Sequence, residues 1–91
     1  MTVQITRIIQ TGYGCPTQWD AVDAEGQRYY IRFRFGQLTV TAITAGENGT
    51  QVFHANHGDE LDGVLGFPQL RELTAGRFDF AAAEHTDEAL L

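Results

Sequence analysis

Residues 18–42 read QWDAVDAEGQRYYIRFRFGQLTVTA, and the two turns inside this stretch decide the fold. The first is Asp23-Ala24-Glu25-Gly26. Aspartate in first place and glycine in fourth suit a type I turn closed by a left-handed glycine bulge. That register sets Asp23 opposite Gln27, Ala21 opposite Tyr29 and Trp19 opposite Ile31. The second is Gly36-Gln37, a two-residue loop with glycine first, which pairs Phe35 with Leu38 and Phe33 with Val40. Side chains alternate between faces along a strand. One face then collects Trp19, Ala21, Tyr29, Ile31, Phe33, Phe35, Leu38, Val40 and Ala42, all apolar apart from one phenol. The other collects Asp20, Val22, Arg28, Tyr30, Arg32, Arg34, Thr39, Thr41 and Ile43. Two turns assigned separately give one consistent apolar face, so a three-stranded meander over 18–44 is expected.

Working outward, residues 2–10 (TVQITRIIQ) are rich in β-branched side chains and read as a strand, followed by a loop at TGYGCPT. AGENGT (45–50) is a further turn, QVFHA (51–55) a short strand and NHGDELDG (56–63) an acidic loop. In FPQLRELT (67–74), Pro68 near the start, Leu70 and Leu73 three apart and Gly76 past the end predict a short amphipathic helix over about 67–75. Phe78 and Phe80 in RFDF suit a final edge strand, and residues 81–91 are expected to fray or form a short helix. The expected fold is α+β: one domain over 1–91, with an antiparallel sheet of four to six strands and one short helix packed on it.

Composition narrows the function. Ninety-one residues with 43% apolar side chains and ten aromatics can bury one modest core. Six basic residues, all arginine, stand against twelve acidic ones, for a net charge of −6. That field disfavours non-specific binding to nucleic acid or anionic membranes. No apolar run approaches the roughly 20 residues of a membrane span, and the first residues lack the pattern of a secretory signal. Cys15 is the only cysteine, so no internal disulfide forms. A reducing, cytoplasmic location is expected.

Against this acidic background, QRYYIRFRFG (27–36) stands out. Its alternation sorts the aromatics from the arginines, leaving Arg28, Tyr30, Arg32 and Arg34 on the face away from the core, with Asp20 across from Tyr30. Such a face is either an ordinary solvated surface, with Asp20 partly neutralising Arg28 and Arg32, or a binding surface built from the residue types that dominate interface hot spots. The binding surface is the expectation adopted. An RNA-recognition motif exposes its aromatics for base stacking, whereas here they face inward.

The cluster His54, His57, Asp59, Glu60 and Asp62 offers metal-ligand side chains, but neither a helical HExxH nor the alternation of a calcium loop is present, so no metal or other cofactor is expected. Cys15 after Gly-Tyr-Gly lacks any motif joining it to His54, His57 or His85 as a catalytic base, and reads as a small hydrophobe before a proline turn. The chain is not expected to be an enzyme.

The residues Cys15-Pro16-Thr17-Gln18-Trp19-Asp20-Ala21, Gly26, Tyr29-Tyr30, Arg32-Phe33-Arg34, Gly36 and Thr39-Val40 resemble a pattern found in small proteins of actinobacterial phages and prophages. Gln37-Leu38 departs from it, since the pattern is richer in glycine at that step. The resemblance spans residues 15–40 and implies a phage or mobile-element origin. It carries no known activity and assigns no residue a role. The expected function is therefore a small binding protein, an accessory factor inhibiting a host or defence protein through Asp20, Arg28, Tyr30, Arg32 and Arg34. Alternatives are a pocket for a small anionic ligand such as a nucleotide, using Arg28, Arg32, Arg34 and the loop at 12–14, or a structural homo-oligomer of a phage particle.

Overall fold

A computed structural model describes residues 2–14, 16–43, 49–59, 63–81 and 83–87. In chain order these form β1 (Val3–Tyr13), β2 (Thr17–Asp23), β3 (Arg28–Arg34), β4 (Gln37–Ile43), β5 (Thr50–Asn56), α1 (Phe67–Leu73), β6 (Phe78–Asp79) and β7 (Glu84–Asp87). The strands make one sheet in the order β5-β4-β3-β2-β1-β6, with β7 also on β1. The first five form an antiparallel meander.

The sheet is mixed rather than purely antiparallel, because β6 and β7 both run parallel to β1. Phe78 pairs with Val3, and Glu84 to Asp87 pair with Arg7 to Gln10. The two short strands thus lie end to end along one edge of β1. Part of the tail expected to fray or turn helical is strand β7, and the turn expected at 45–50 lies largely outside the described residues. β1 also runs further than expected, since Gly12 and Tyr13 pair with Gln18 and Thr17.

The first turn forms as its residues require. Trp19 lies opposite Ile31 and Ala21 opposite Tyr29, and Gly26 takes the left-handed conformation with φ of 85°. Asp23 accepts backbone hydrogen bonds from Glu25 and Gln27 on Oδ1, both at 2.9 Å, and its Oδ2 accepts the Tyr29 hydroxyl at 3.0 Å. The second turn differs. Phe33 pairs with Leu38 and Arg34 with Gln37, so the turn residues are Phe35-Gly36. Both have positive φ, 57° and 70°. The pairing is displaced by two residues, which leaves every strand side chain on its expected face. Phe35 is the exception: expected in the core, it sits in the turn and is 59% exposed.

The buried face holds Trp19, Ala21, Tyr29, Ile31, Phe33, Leu38 and Val40, joined by Ile5 and Ile8 of β1. Ile5 and Ile8 share that face despite being three apart, because Thr6 is an extra residue, a bulge, between Ile5↔Asp23 and Arg7↔Val22. The Thr6 hydroxyl donates to the Val22 carbonyl at 3.2 Å. A similar bulge at Val52 in β5 has its carbonyl satisfied by the Arg77 guanidinium at 3.1 Å. α1 starts at Phe67-Pro68, where a missing N–H costs nothing, and lays the fully buried Leu70 on the sheet. Edge-to-face pairs Tyr29–Phe78, Phe53–Phe78 and Phe67–Phe80, with centroids 5.6–6.1 Å apart, close the layer between helix and sheet. The Thr17 hydroxyl, buried in β2, donates to the Gly63 carbonyl at 2.9 Å and accepts from the Leu65 N–H at 3.1 Å. It thereby pins the approach to the helix.

Candidate functional site

The helix covers one face of the sheet, and among the described residues no element packs on the other, the open face. On the open face the strand register lays side chains out in rows. The first row runs Arg7, Val22, Arg28 and Ile43; the second Ile9, Asp20, Tyr30 and Thr41. The third runs Gln18, Arg32, Thr39 and His54, and the last Arg34, Gln37 and Asn56. All five residues expected at the site, Asp20, Arg28, Tyr30, Arg32 and Arg34, fall on this face. Asp20 pairs directly with Tyr30.

The rows add two residues that alternation alone does not place. Arg7 and Ile9 reach this face because the Thr6 bulge reverses the facing of β1. The available signal was the spacing of three between Ile5 and Ile8, which breaks a period of two. With Arg7, four of the chain's six arginines stand on one sheet face.

The arginines differ in what they touch. Arg71 lies over the Phe67 ring and Arg77 over the Phe53 ring, both at 5.9 Å, so each supports the helix side of the fold. Among the described residues, Arg7, Arg28, Arg32 and Arg34 have no carboxylate partner and no side-chain hydrogen bond. The neutralisation of Arg28 and Arg32 by Asp20 that belongs to the alternative of an ordinary solvated face therefore takes no form closer than the shared face. Nε of Arg32 is buried without a hydrogen-bond acceptor. The Arg34 guanidinium stacks 4.6 Å from the centre of the exposed Phe35 ring. Guanidinium forks without internal acceptors bind carboxylates or phosphates in two-point contacts.

The face has relief. A groove of about 600 Å³ runs between Arg7, Ile9, Asp20, Val22, Arg28, Tyr30 and Ile43. Ile9, Val22 and Tyr30 are half-buried along it, and Ile43 is 38% exposed. At the other end, Arg32, Arg34, Phe35, Gln37 and Thr39 line a shallow depression of about 130 Å³. The segment at 12–14, considered as an anion-binding loop, has Gly12 and Tyr13 in the β1–β2 ladder instead.

The histidines are dispersed. His54 lies on the open face opposite Thr39, whereas the His57 ring packs 6.1 Å from Phe33, a core residue. Glu60, Asp62 and Cys15 lie outside the described residues. Among those described, no three histidine, cysteine or acidic side chains gather as a metal site, and no helix is long and apolar enough to cross a membrane.

One perturbed acid lies beneath this face. Burial, and then the hydrogen bond to the Asp23 carboxylate and the charges of Asp23 and Glu25, push the Tyr29 phenol up to about 12. That pair holds the first turn closed. Comparison of the chain with protein-family models, with curated proteins and with solved structures gives no match, and the reading of the face rests on its own chemistry.

Proposed function

We propose that the chain is a small non-enzymatic binding protein that docks on an acidic patch of a partner protein through the open sheet face. The observation that carries this reading is the placing of Arg7, Arg28, Arg32 and Arg34 on one sheet face with Tyr30, with no internal acceptor among the described residues, in a chain of net charge −6. Concentrating the positive side chains of an acidic chain on one face steers a negatively charged partner to that face and repels it elsewhere. Arginine and tyrosine also carry a disproportionate share of binding energy where they are desolvated together. The role that fits the resemblance over residues 15–40 is a phage or mobile-element accessory protein that inhibits a host or defence protein by covering its surface.

The experiment is affinity capture from host extract, followed by titration of the purified partner. Arg32→Ala or Tyr30→Ala should leave the fold intact and weaken the complex by about 2 kcal/mol or more. A complex of unchanged affinity in the Arg28/Arg32/Arg34 triple alanine variant would refute the reading. A saturable thermal shift with nucleotides, lost in the same variant, would replace it with small-anion binding.

A further inference from the structure

We infer that the groove between Arg7 and Arg28 takes a segment of the partner chain in which an aliphatic side chain sits between two carboxylates. The inference rests on the protein-binding reading above and names what the partner brings to one end of the face. Arg7 and Arg28 are both direct register partners of Val22, one from each side. Adjacent strands lie about 4.8 Å apart, so these arginines stand about 10 Å apart across an aliphatic floor. Ile9, Val22, Tyr30 and the exposed Ile43 give that floor its apolar surface.

The pattern of charge, apolar strip and charge selects the ligand class. A single-headed amphiphile satisfies one guanidinium and leaves the other beside hydrocarbon. An extended peptide places alternate side chains on one face about 7 Å apart, so Glu-x-Leu-x-Glu presents two carboxylates about 13 Å apart with leucine midway. The long arginine and glutamate side chains absorb the difference. Two acidic groups border the site. Glu84 of β7 is the backbone register neighbour of Arg7, and Asp20 that of Ile9 and Tyr30 within the groove. Asp20 is suited to accept a backbone N–H of the segment, which orients it, and both acids disfavour a segment with more carboxylates than the two guanidiniums can meet.

The test is an NMR titration of the isotope-labelled protein with acetyl-Glu-Ser-Leu-Ser-Glu-amide, beside peptides carrying serine for leucine or lysine for both glutamates. The expected result is saturable shifts centred on Ile9, Val22, Arg28 and Ile43 with the first peptide only. Arg7→Gln and Arg28→Gln, both at exposed positions, should each weaken it about tenfold, the loss of one charge-assisted pair. Equal shifts with the serine-for-leucine peptide would overturn the inference by reducing it to charge attraction. Shifts centred on Arg32, Arg34 and Phe35 would overturn the groove assignment while leaving the open face as the binding surface. An absence of shifts anywhere on the face would also overturn it, and the binding reading would then stand or fall on the partner titration with Arg32→Ala and Tyr30→Ala.

Discussion

At one end of β3 the chain reverses through residues 23–26, and at the other through Phe35-Gly36, and different forces hold the two reversals. The first is closed from within. Asp23 binds the N–H groups of Glu25 and Gln27, Gly26 supplies the left-handed residue, and the Tyr29 hydroxyl locks the carboxylate. A β-carbon on Gly26 would meet nothing within 4 Å. The second is closed from outside. The His57 N–H donates to the Gly36 carbonyl at 2.8 Å, and residues 57–59 lie so close over Gly36 that a β-carbon there would collide with the Asp59 backbone carbonyl. Phe35 takes positive φ with nothing in its own chemistry to favour it. Local chemistry can be read from a sequence, whereas a turn imposed by a distant loop leaves no local mark.

The largest effect should come from Trp19, whose burial opposite Ile31 follows from the first turn. Trp19→Ala should cost about 3–5 kcal/mol in chemical denaturation. Trp19→Phe should cost much less, because it keeps a ring in place and removes an indole N–H that is buried without an acceptor. A parent-like Trp19→Ala would break the register on which the comparison rests.

The two turn glycines test the comparison directly. Both have positive φ, so alanine strains either by about 1–2 kcal/mol. Only Gly36→Ala adds a backbone collision, and a total near 3 kcal/mol is expected against about 1 kcal/mol for Gly26→Ala. Equal costs in paired melts would mean that residues 57–59 do not hold the second turn.

Alkaline titration probes the first turn alone. The Tyr29 phenol titrates at about 12 in the folded chain and near 10 when unfolded. Between those values the unfolded chain holds fewer protons, so stability falls as pH rises, having been fully present below about pH 10. Tyr29→Phe should flatten that decline relative to the parent, measured by denaturant midpoints across the window. An unchanged slope would dissociate the Asp23–Tyr29 pair from the turn.

The smallest effect should have the opposite sign. Phe35→Asn relieves about 1–2 kcal/mol of left-handed strain and loses a stacking contact with Arg34 worth about 0.5–1 kcal/mol at an exposed site. A net gain of about 0.5 kcal/mol is expected, read as a small rise in Tm. A loss instead would show that Phe35 supports the turn.

The same contrast explains what was legible. The facing of residues 19–22, 28–34 and 38–43 was readable even though the second turn was misplaced, because a two-residue displacement preserves facing. Asp20, Arg28, Tyr30, Arg32 and Arg34 could be put on one surface for that reason. Phe35 could not, since its position depended on where the turn closed. Arg7 and Ile9 were hidden by the Thr6 bulge, and the parallel pairing of β6 and β7 by its lack of any turn to announce it.

That parallel edge has a consequence for the making of the protein. β1 precedes the other described strands in the chain, yet among the described residues one of its edges is completed only by Phe78, Asp79 and residues 84–87. On the ribosome the meander from β1 to β5 can assemble while β1 still presents a bare row of N–H and C=O groups to solvent. At about 5–20 residues per second, that edge waits several seconds for its partner. A neighbouring nascent chain on the same message can pair there first, so crowded translation, more than loss of stability in the finished molecule, is where this fold is most exposed to misassembly.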